Sequence, residues 1–214
     1  MSMTIEGIRM HRLLPAVVAL LAVSAGPARA AIPGQNPDWP CQQRFVPALT
    51  AGTFWNGPLP DKADWHADPR VAALVADTAP REVPLDESHA KLAAFAKRLK
   101  PAERRRVLPV LFLGLVDATN DQRHDVMGRI EELTRRQREL GDVIAHVTDE
   151  LQAIPPDATG DAAARRAEIV QRRDFVVRSF EETQRTMRYA CEVPVELEAR
   201  LGDYARLLQA DTGH

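Results

Sequence analysis

The chain has 214 residues and a formal net charge of −2, with 28 basic and 30 acidic side chains interspersed along it. Electrostatic binding to nucleic acid or to an anionic membrane surface requires a basic stripe, so this pattern predicts neither partner. Aromatic residues make up 5% of the chain and alternating β-branched runs are almost absent. The richness in Ala, Leu, Arg and Glu therefore indicates an all-α protein.

Residues 1–30 have the three parts of a secretory signal peptide. A basic segment with Arg9 and Arg12 precedes the apolar run LLPAVVALLAVSA, and Ala28 and Ala30 form an A-x-A cleavage site. The run is shorter than the roughly 20 residues that span a bilayer. We therefore expect cleavage near Ala30 and a soluble exported protein without stable membrane insertion, periplasmic in a host with two membranes.

The chain has two cysteines, Cys41 and Cys191. Disulfides persist in oxidising compartments, where free thiols are uncommon. The sequence has no C-x-x-C redox pair and no haem attachment motif, and two cysteines without clustered histidines make a poor zinc site. An exported chain with this composition is predicted to form a disulfide between Cys41 and Cys191.

Residues 31–68 are rich in proline and contain all three tryptophans of the chain, Trp39, Trp55 and Trp65. Proline fixes φ and removes a hydrogen-bond donor, so we expect an extended arm and not a helix. Tryptophans have large apolar surfaces to bury and are rare in disordered linkers. The arm is therefore predicted to lie packed on the helical body.

Residues 69–118 are predicted to form a small helical head. One helix begins in DPRVAALVADTA, where Asp68 can cap and Pro69 occupies the first turn, and a second follows in DESHAKLAAFAKRLK. The next segment, Val107 to Val116, is apolar on nearly every face and must be surrounded by other elements. Pro109 either kinks this helix or marks its start, and the pattern does not distinguish the two.

Residues 119–191 are predicted to form a long antiparallel coiled-coil hairpin with a tip near Pro155 to Gly160. Apolar residues with a period of 3.5 are typical of such a seam, and a short loop between long helices makes them antiparallel neighbours. Ile169, Val176, Phe180, Met187 and Ala190 form the stripe on the second helix. The first helix carries Arg123, Val126, Ile130, Leu133, Gln137, Leu140, Ile144, Val147, Leu151 and Ile154.

Pro194 is expected to end the second hairpin helix, because proline disfavours helical geometry in the residue before it. Residues 192–214 are then predicted to form a separate C-terminal helix that completes the head and turns off just after Cys191. The disulfide would pin the arm to the base of the hairpin. The predicted architecture is all-α, a small helical head with a long antiparallel coiled-coil hairpin, preceded by a Pro/Trp-rich extended arm.

The most suggestive polar cluster consists of Asp117, Asp121, His124 and Asp125, which share one face if the helix is continuous. Carboxylates and imidazole at this spacing could hold a divalent metal with help from a facing helix. Charged residues at helical spacing more often form a solvated face, and no H-x-x-x-H or E-x-x-H pattern is present. The sequence therefore predicts no metal and no other cofactor.

The element LTRRQ, from Leu133 to Gln137, resembles the L-T-x-x-Q element of the exported helical-hairpin stress chaperones and metal sensors of bacteria. LKPAERR, from Leu99, resembles it more loosely and departs from it at Lys100. The resemblance covers these two short segments and implies a chaperone-like class of function.

Catalytic patterns are missing from the sequence, which has no G-x-S-x-G element and no glycine-rich phosphate loop. We therefore predict an exported, non-enzymatic interaction protein, chaperone-like or an adaptor, that uses the hairpin to bind a protein partner. The alternative is a small-molecule or metal-binding sensor with its site between the Trp-rich arm and the head. The apolar seam would serve a hairpin closed on itself or a homo-oligomer equally well.

Overall fold

The structure, a computed structural model, describes residues 36–210. The predicted signal peptide, the first five residues of the predicted arm and the last four residues of the chain lie outside this range. The described part contains no β-strand, which confirms the all-α prediction. Its helices are α1 (Pro69–Thr78), α2 (Leu85–Arg98), α3 (Pro101–Gln152) and α4 (Gly160–Ala210), and short 3-10 turns occupy Ala51–Thr53 and Trp65–Ala67.

The two short helices begin at local signals in the sequence. The Asp68 side chain accepts a hydrogen bond from the backbone N–H of Arg70, and Pro69 occupies the first position of α1, where its missing N–H costs nothing. Helix α2 follows Pro84 and carries acidic residues in its first turn and basic residues in its last, as the helix dipole favours.

Helix α3 begins at Pro101 and continues through Pro109, so Pro109 does not start the helix. Proline lacks the N–H that would bond to the carbonyl of Arg105. Arg105 is exposed, so water can satisfy that carbonyl, while the Pro109 ring is itself buried in the head. As a result one helix serves both the head and the hairpin.

Helix α4 continues through Pro194, so the predicted break and the separate C-terminal helix are wrong. Side chains from outside the helix supply hydrogen bonds to the turn around the proline. Gln43 donates to the carbonyl of Cys191 at 2.5 Å, and Arg123 donates to the carbonyl of Pro194 at 2.8 Å. Tertiary contacts that local sequence does not reveal thus outweigh the helix-breaking preference.

The core of the head is built by α1, α2 and the adjoining ends of α3 and α4. The arm contributes to this core, as predicted, since Leu49 and Trp55 are buried and the Trp55 ring stacks on Phe112 with centroids 5.1 Å apart. The side chains that are fully enclosed here include Leu92, Leu108, Leu111, Phe112, Leu115, Leu201, Tyr204 and Leu208.

Beyond the head, α3 and α4 pack on each other as an antiparallel pair connected by residues 153–159. All ten predicted seam positions, from Arg123 to Ile154, are buried or half-buried, which confirms the seam. A second, small core at the tip joins Val147, Leu151 and Ile169. Between Ile130 and Val147 the side chains of α3 are at most half-buried, so the middle of the hairpin is thin.

Candidate interaction surface

The predicted disulfide is present. Cys41 of the arm is bonded to Cys191 of α4, with Cα atoms 5.6 Å apart and 150 positions between them in sequence. Both cysteines are half-buried, and Cys191 lies about one helical turn before Pro194 in α4. The disulfide therefore attaches the arm to α4 where the hairpin leaves the head.

The first described residues of the arm cross from α3 to α4. Asn36 donates a hydrogen bond to the Glu131 carboxylate at 2.6 Å, and the Asp38 carboxylate pairs with Arg135 and Arg138. The pKa of Asp38 lies below its usual value of 3.8, mainly because its carboxylate accepts a hydrogen bond from Arg138 and, to a smaller extent, because it accepts one from Arg135. The arm is thus held to α3 by polar contacts and to α4 by a covalent bond.

Arg123 lies in the apolar seam and is only 3% exposed. Its two terminal nitrogens donate to the carbonyls of Pro194 at 2.8 Å and Val46 at 2.9 Å, while its buried Nε has no hydrogen-bond partner among residues 36–210. Burial lowers the pKa of the guanidinium, and the charge of Glu198 partly opposes that shift. Arg123 therefore joins the arm, α3 and α4 at one point.

The arm lies along one side of the α3–α4 pair from the head as far as Arg138, and we call this side the arm flank. Besides the disulfide at Cys191, Asn120 marks this side, because its side chain bonds to both the N–H and the carbonyl of Leu49 at 2.8 and 3.0 Å. Asn120 and Gln122 lie on opposite sides of the line formed by the buried residues Thr119 and Arg123.

The connection between α1 and α2 covers the other side at its base. Gln122 bonds to the carbonyl of Ala79 and the N–H of Arg81, each at 3.0 Å. Arg200, on α4, donates to the carbonyls of Thr78 at 3.2 Å and Val83 at 2.8 Å. This side is therefore covered in the head, while no helix of residues 36–210 lies over its continuation along the hairpin.

We call this uncovered continuation the open flank. Residues that are seven apart share one face of a coiled-coil helix. On α3 the open flank consists of the positions that follow Gln122 at seven-residue spacing. On α4 it consists of the positions that precede Arg200 at this spacing, and of the adjacent, more exposed row that contains Glu182. Its members are Arg129, Arg136 and Val143 on α3, and Glu168, Arg172, Phe175, Ser179, Glu182, Thr186, Tyr189 and Val193 on α4.

The open flank carries three exposed large apolar side chains. Phe175 is 64% exposed, Tyr189 is 71% exposed and Val143 is 43% exposed. Every seventh residue of α4 from Glu168 to Tyr189 is exposed on this flank. Carboxylates and aromatic rings alternate at these positions, which are Glu168, Phe175, Glu182 and Tyr189. Sequence reasoning missed this surface, although the seven-residue spacing of aromatic and acidic residues was a signal that could have found it.

The four candidate metal ligands Asp117, Asp121, His124 and Asp125 do not converge on one site. The Asp117 carboxylate accepts a hydrogen bond from the Trp65 indole at 3.2 Å, and Asp121 and Asp125 line a groove of about 470 Å³ between α1 and α3. His124 is exposed and lines no part of that groove. Across residues 36–210, no three His, Cys, Asp or Glu side chains are placed to hold a metal ion.

A shallow groove of about 450 Å³ lies between the arm and α3, at the place where the sensor alternative puts its site. Trp65, Leu113 and Val116 provide its apolar wall, and the carboxylates of Asp61 and Asp64 provide polar groups. The groove could accept a small molecule with an apolar body and a cationic group.

Comparison of the chain with known protein families, with curated protein sequences and with solved structures finds no significant match. The LTRRQ element lies in the interior of α3, and the segment from Leu99 covers the connection between α2 and α3 and the first turn of α3. None of the helices in the described range has the length and hydropathy of a membrane-spanning helix.

Proposed function

We propose that the protein is an exported, non-enzymatic interaction protein that offers the open flank of its hairpin to protein partners, as a chaperone or an adaptor does. The observation that carries the proposal is the exposure of Phe175 and Tyr189 on one face of a helix. Exposed aromatic side chains with carboxylates around them are typical of binding surfaces, because the rings supply contact area and the charges keep the free surface soluble.

The attachment of the arm supports this function. The disulfide and the pairing of Asp38 with Arg135 and Arg138 hold the base of the hairpin together, so α3 and α4 are fixed relative to each other where the open flank begins. A preorganised surface loses less conformational entropy on binding. A disulfide is also stable in an oxidising compartment, which together with the A-x-A pattern at Ala28 and Ala30 supports export to the periplasm.

An aggregation-suppression assay tests the proposal. Purified protein without the signal segment would be mixed with thermally unfolding citrate synthase, and light scattering would be recorded. We expect the wild type to suppress scattering and the double variant Phe175→Ser/Tyr189→Ser to lose most of that effect, because it lacks the two exposed rings.

The matched control is Val195→Ser, since Val195 is 50% exposed on the same helix but lines the groove beside Cys41. This control should suppress aggregation as the wild type does, and circular dichroism should show that all three proteins are folded. Equal suppression by the wild type and the double variant would refute the role of the open flank.

A second candidate function rests on the groove between the arm and α3, where Trp65 stacks on His66 with centroids 3.5 Å apart. In this case the protein would bind a small molecule or a metal as a sensor. Titration with divalent metal salts and with the apolar dye 1-anilinonaphthalene-8-sulfonate should then change the tryptophan fluorescence, and Trp65→Phe should abolish the change while Trp39→Phe leaves it intact. A response that persists in Trp65→Phe would rule out this groove.

A further inference from the structure

In the head, the α3–α4 pair is covered by a second layer formed by α1 and α2. This layer ends where Arg81 lies near Arg129 of α3 and Val193 of α4, since these residues line the grooves at its edge. The open flank begins at this edge and continues to the end of α3 at Gln152. One layer of the four-helix head therefore stops, while the other continues outward with apolar side chains exposed.

We propose that a second copy of the chain covers the open flank, with the two hairpins antiparallel and related by a two-fold axis. Each hairpin would then occupy, beyond its partner's head, the layer that α1 and α2 occupy within that head. A two-fold arrangement brings the same surface of both copies together. This inference concerns self-association and does not depend on the binding of any other protein.

The position of α1 and α2 selects the antiparallel arrangement. Both lie on the same side of the α3–α4 pair as the open flank, so parallel hairpins would bring two heads into the same space. Antiparallel hairpins place the heads at opposite ends. The uncovered length of α3, from Arg129 to Gln152, is about 36 Å at 1.5 Å per residue, and two such lengths overlap completely in this arrangement.

The register of α3 against α4 locates the two-fold axis that gives this overlap. The Thr134 hydroxyl lies 3.4 Å from the Met187 sulfur, and Glu150 forms an ion pair with Arg172. Because the helices are antiparallel, these two contacts place the middle of the uncovered length of α3 level with Glu182. The two-fold axis that gives complete overlap therefore passes close to Glu182.

An axis near Glu182 pairs the exposed aromatic side chains with each other. Phe175 and Tyr189 are each seven residues from Glu182, so Phe175 of one copy lies opposite Tyr189 of the other, at both ends of the contact. Ser179 and Thr186, on the open flank between them, are small enough for the helices to approach closely. Two rings that are exposed in the single chain would thus form two aromatic pairs.

The charges on the open flank are compatible with self-pairing. The open flank carries the basic residues Arg129, Arg136 and Arg172 and the acidic residues Glu168 and Glu182, so two copies present both signs to each other. Glu182 meets its counterpart near the axis, and Arg178 and Arg185, four and three residues away on the same helix, are close enough to offset that repulsion.

The expected contact is small. A flank of about 36 Å by two helix widths would bury roughly 700 Å² on each copy, which is at the low end of specific interfaces. We therefore expect a reversible dimer with a dissociation constant on the order of micromolar. The ratio of monomer to dimer should then change with protein concentration in the range that experiments can reach.

Sedimentation equilibrium of the chain without residues 1–30, from about 1 to about 300 µM, tests the proposal with no other protein present. We expect the weight-average mass to rise from one chain to two, and the dissociation constant to increase at least tenfold in Phe175→Ser/Tyr189→Ser. The control variant Val195→Ser should dimerise as the wild type does. A monomer at every concentration, or a dimer unaffected by the double substitution, would overturn the proposal.

A photo-crosslinking amino acid in place of Phe175 tests the orientation. The antiparallel dimer predicts intermolecular crosslinks to the part of α4 around Tyr189, whereas parallel hairpins would give crosslinks to α3 near Val143. Because the mass measurement contains no client and the scattering assay measures client binding, failure of the dimer and failure of the proposed function are distinguishable. Crosslinks to α3 of the other copy would contradict the antiparallel arrangement.

Discussion

The head and the hairpin are made from the same two helices but are stabilised in different ways. In the head, α1, α2 and the arm surround α3 and α4, and side chains such as Leu108, Leu115 and Leu201 are fully enclosed. In the hairpin beyond Arg138, α3 and α4 pack on each other without a further layer from residues 36–210, and the middle of the seam is half-exposed. The comparison shows that continuity of a helix does not bring equal burial along it.

This difference assigns different tasks to the two regions. A large core makes the head the stable part of the molecule, since burial of apolar surface is the main favourable term in folding. A pair of helices without further layers has less to hold it, so local opening should cost less there. The hairpin relies on the arm, the disulfide and Arg123 at its base, and it keeps free surface that the head lacks.

Loss of the disulfide should produce the largest change in stability, and it should affect the hairpin more than the head. Cys41→Ser/Cys191→Ser removes a crosslink between residues 150 positions apart, and the chain-entropy model gives about 5 kcal/mol for a loop of this length. We expect urea unfolding to show that the free energy of unfolding decreases by an amount of that order. Hydrogen exchange should increase most around residues 36–45 and 185–195 and least in the core of the head.

Reduction of the wild type without mutation is the control, and it should reproduce the double variant. If the exchange of α1 and α2 increased as much as that of the hairpin, the head and the hairpin would form one cooperative unit and the contrast between them would fail.

Replacement of Arg123 by methionine should have an intermediate effect. The substitution leaves the buried carbonyl of Pro194 and the carbonyl of Val46 without their hydrogen bonds, at a cost of about 2 to 3 kcal/mol that relief of the buried charge partly offsets. Thermal unfolding should show the resulting decrease in the stability of the protein. Arg129→Met, at an exposed position of the same helix, should change the stability by less than about 0.5 kcal/mol. Equal effects of the two substitutions would exclude a special role for Arg123.

Two glycines of α3 should respond to alanine with opposite signs. A Cβ at Gly114, in the head, would lie 2.9 Å from both the Trp65 ring and the Val75 side chain, so Gly114→Ala should destabilise the protein by about 1 to 2 kcal/mol. A Cβ at Gly128, in the hairpin, would meet nothing within 4 Å, so Gly128→Ala should stabilise the helix by up to about 1 kcal/mol.

Urea unfolding of the two single variants measures this contrast directly. A destabilising Gly128→Ala would show that the hairpin is more closely packed than its exposure indicates.

Much of the fold could be predicted from the sequence because its signals are local. The 3.5-residue period from Arg123 to Ile154 predicted the seam, Asp68 and Pro69 predicted the start of α1, and two cysteines in a chain predicted to be exported indicated the disulfide. The break at Pro194 was predicted wrongly, because Gln43 and Arg123, which bond to that turn of α4, are distant in sequence.

The candidate surface could not be located from the sequence, because the path of the arm and the position of α1 and α2 decide which flank is covered. The pattern around Phe175 and Tyr189 shows that these residues share a face but not that the face is free. In the same way, Asp117, Asp121 and Asp125 share a helical face, and only the structure shows that Asp117 bonds to Trp65.

The position of the disulfide also determines what proteolysis does to the molecule. Cys41 and Cys191 lie on either side of the connection at residues 153–159, so a single cut there would leave two fragments joined by a covalent bond. Under oxidising conditions the cleaved chain would keep the mass of the intact protein plus one water. Under reduction it would yield two polypeptides, one ending near the tip and the other beginning there.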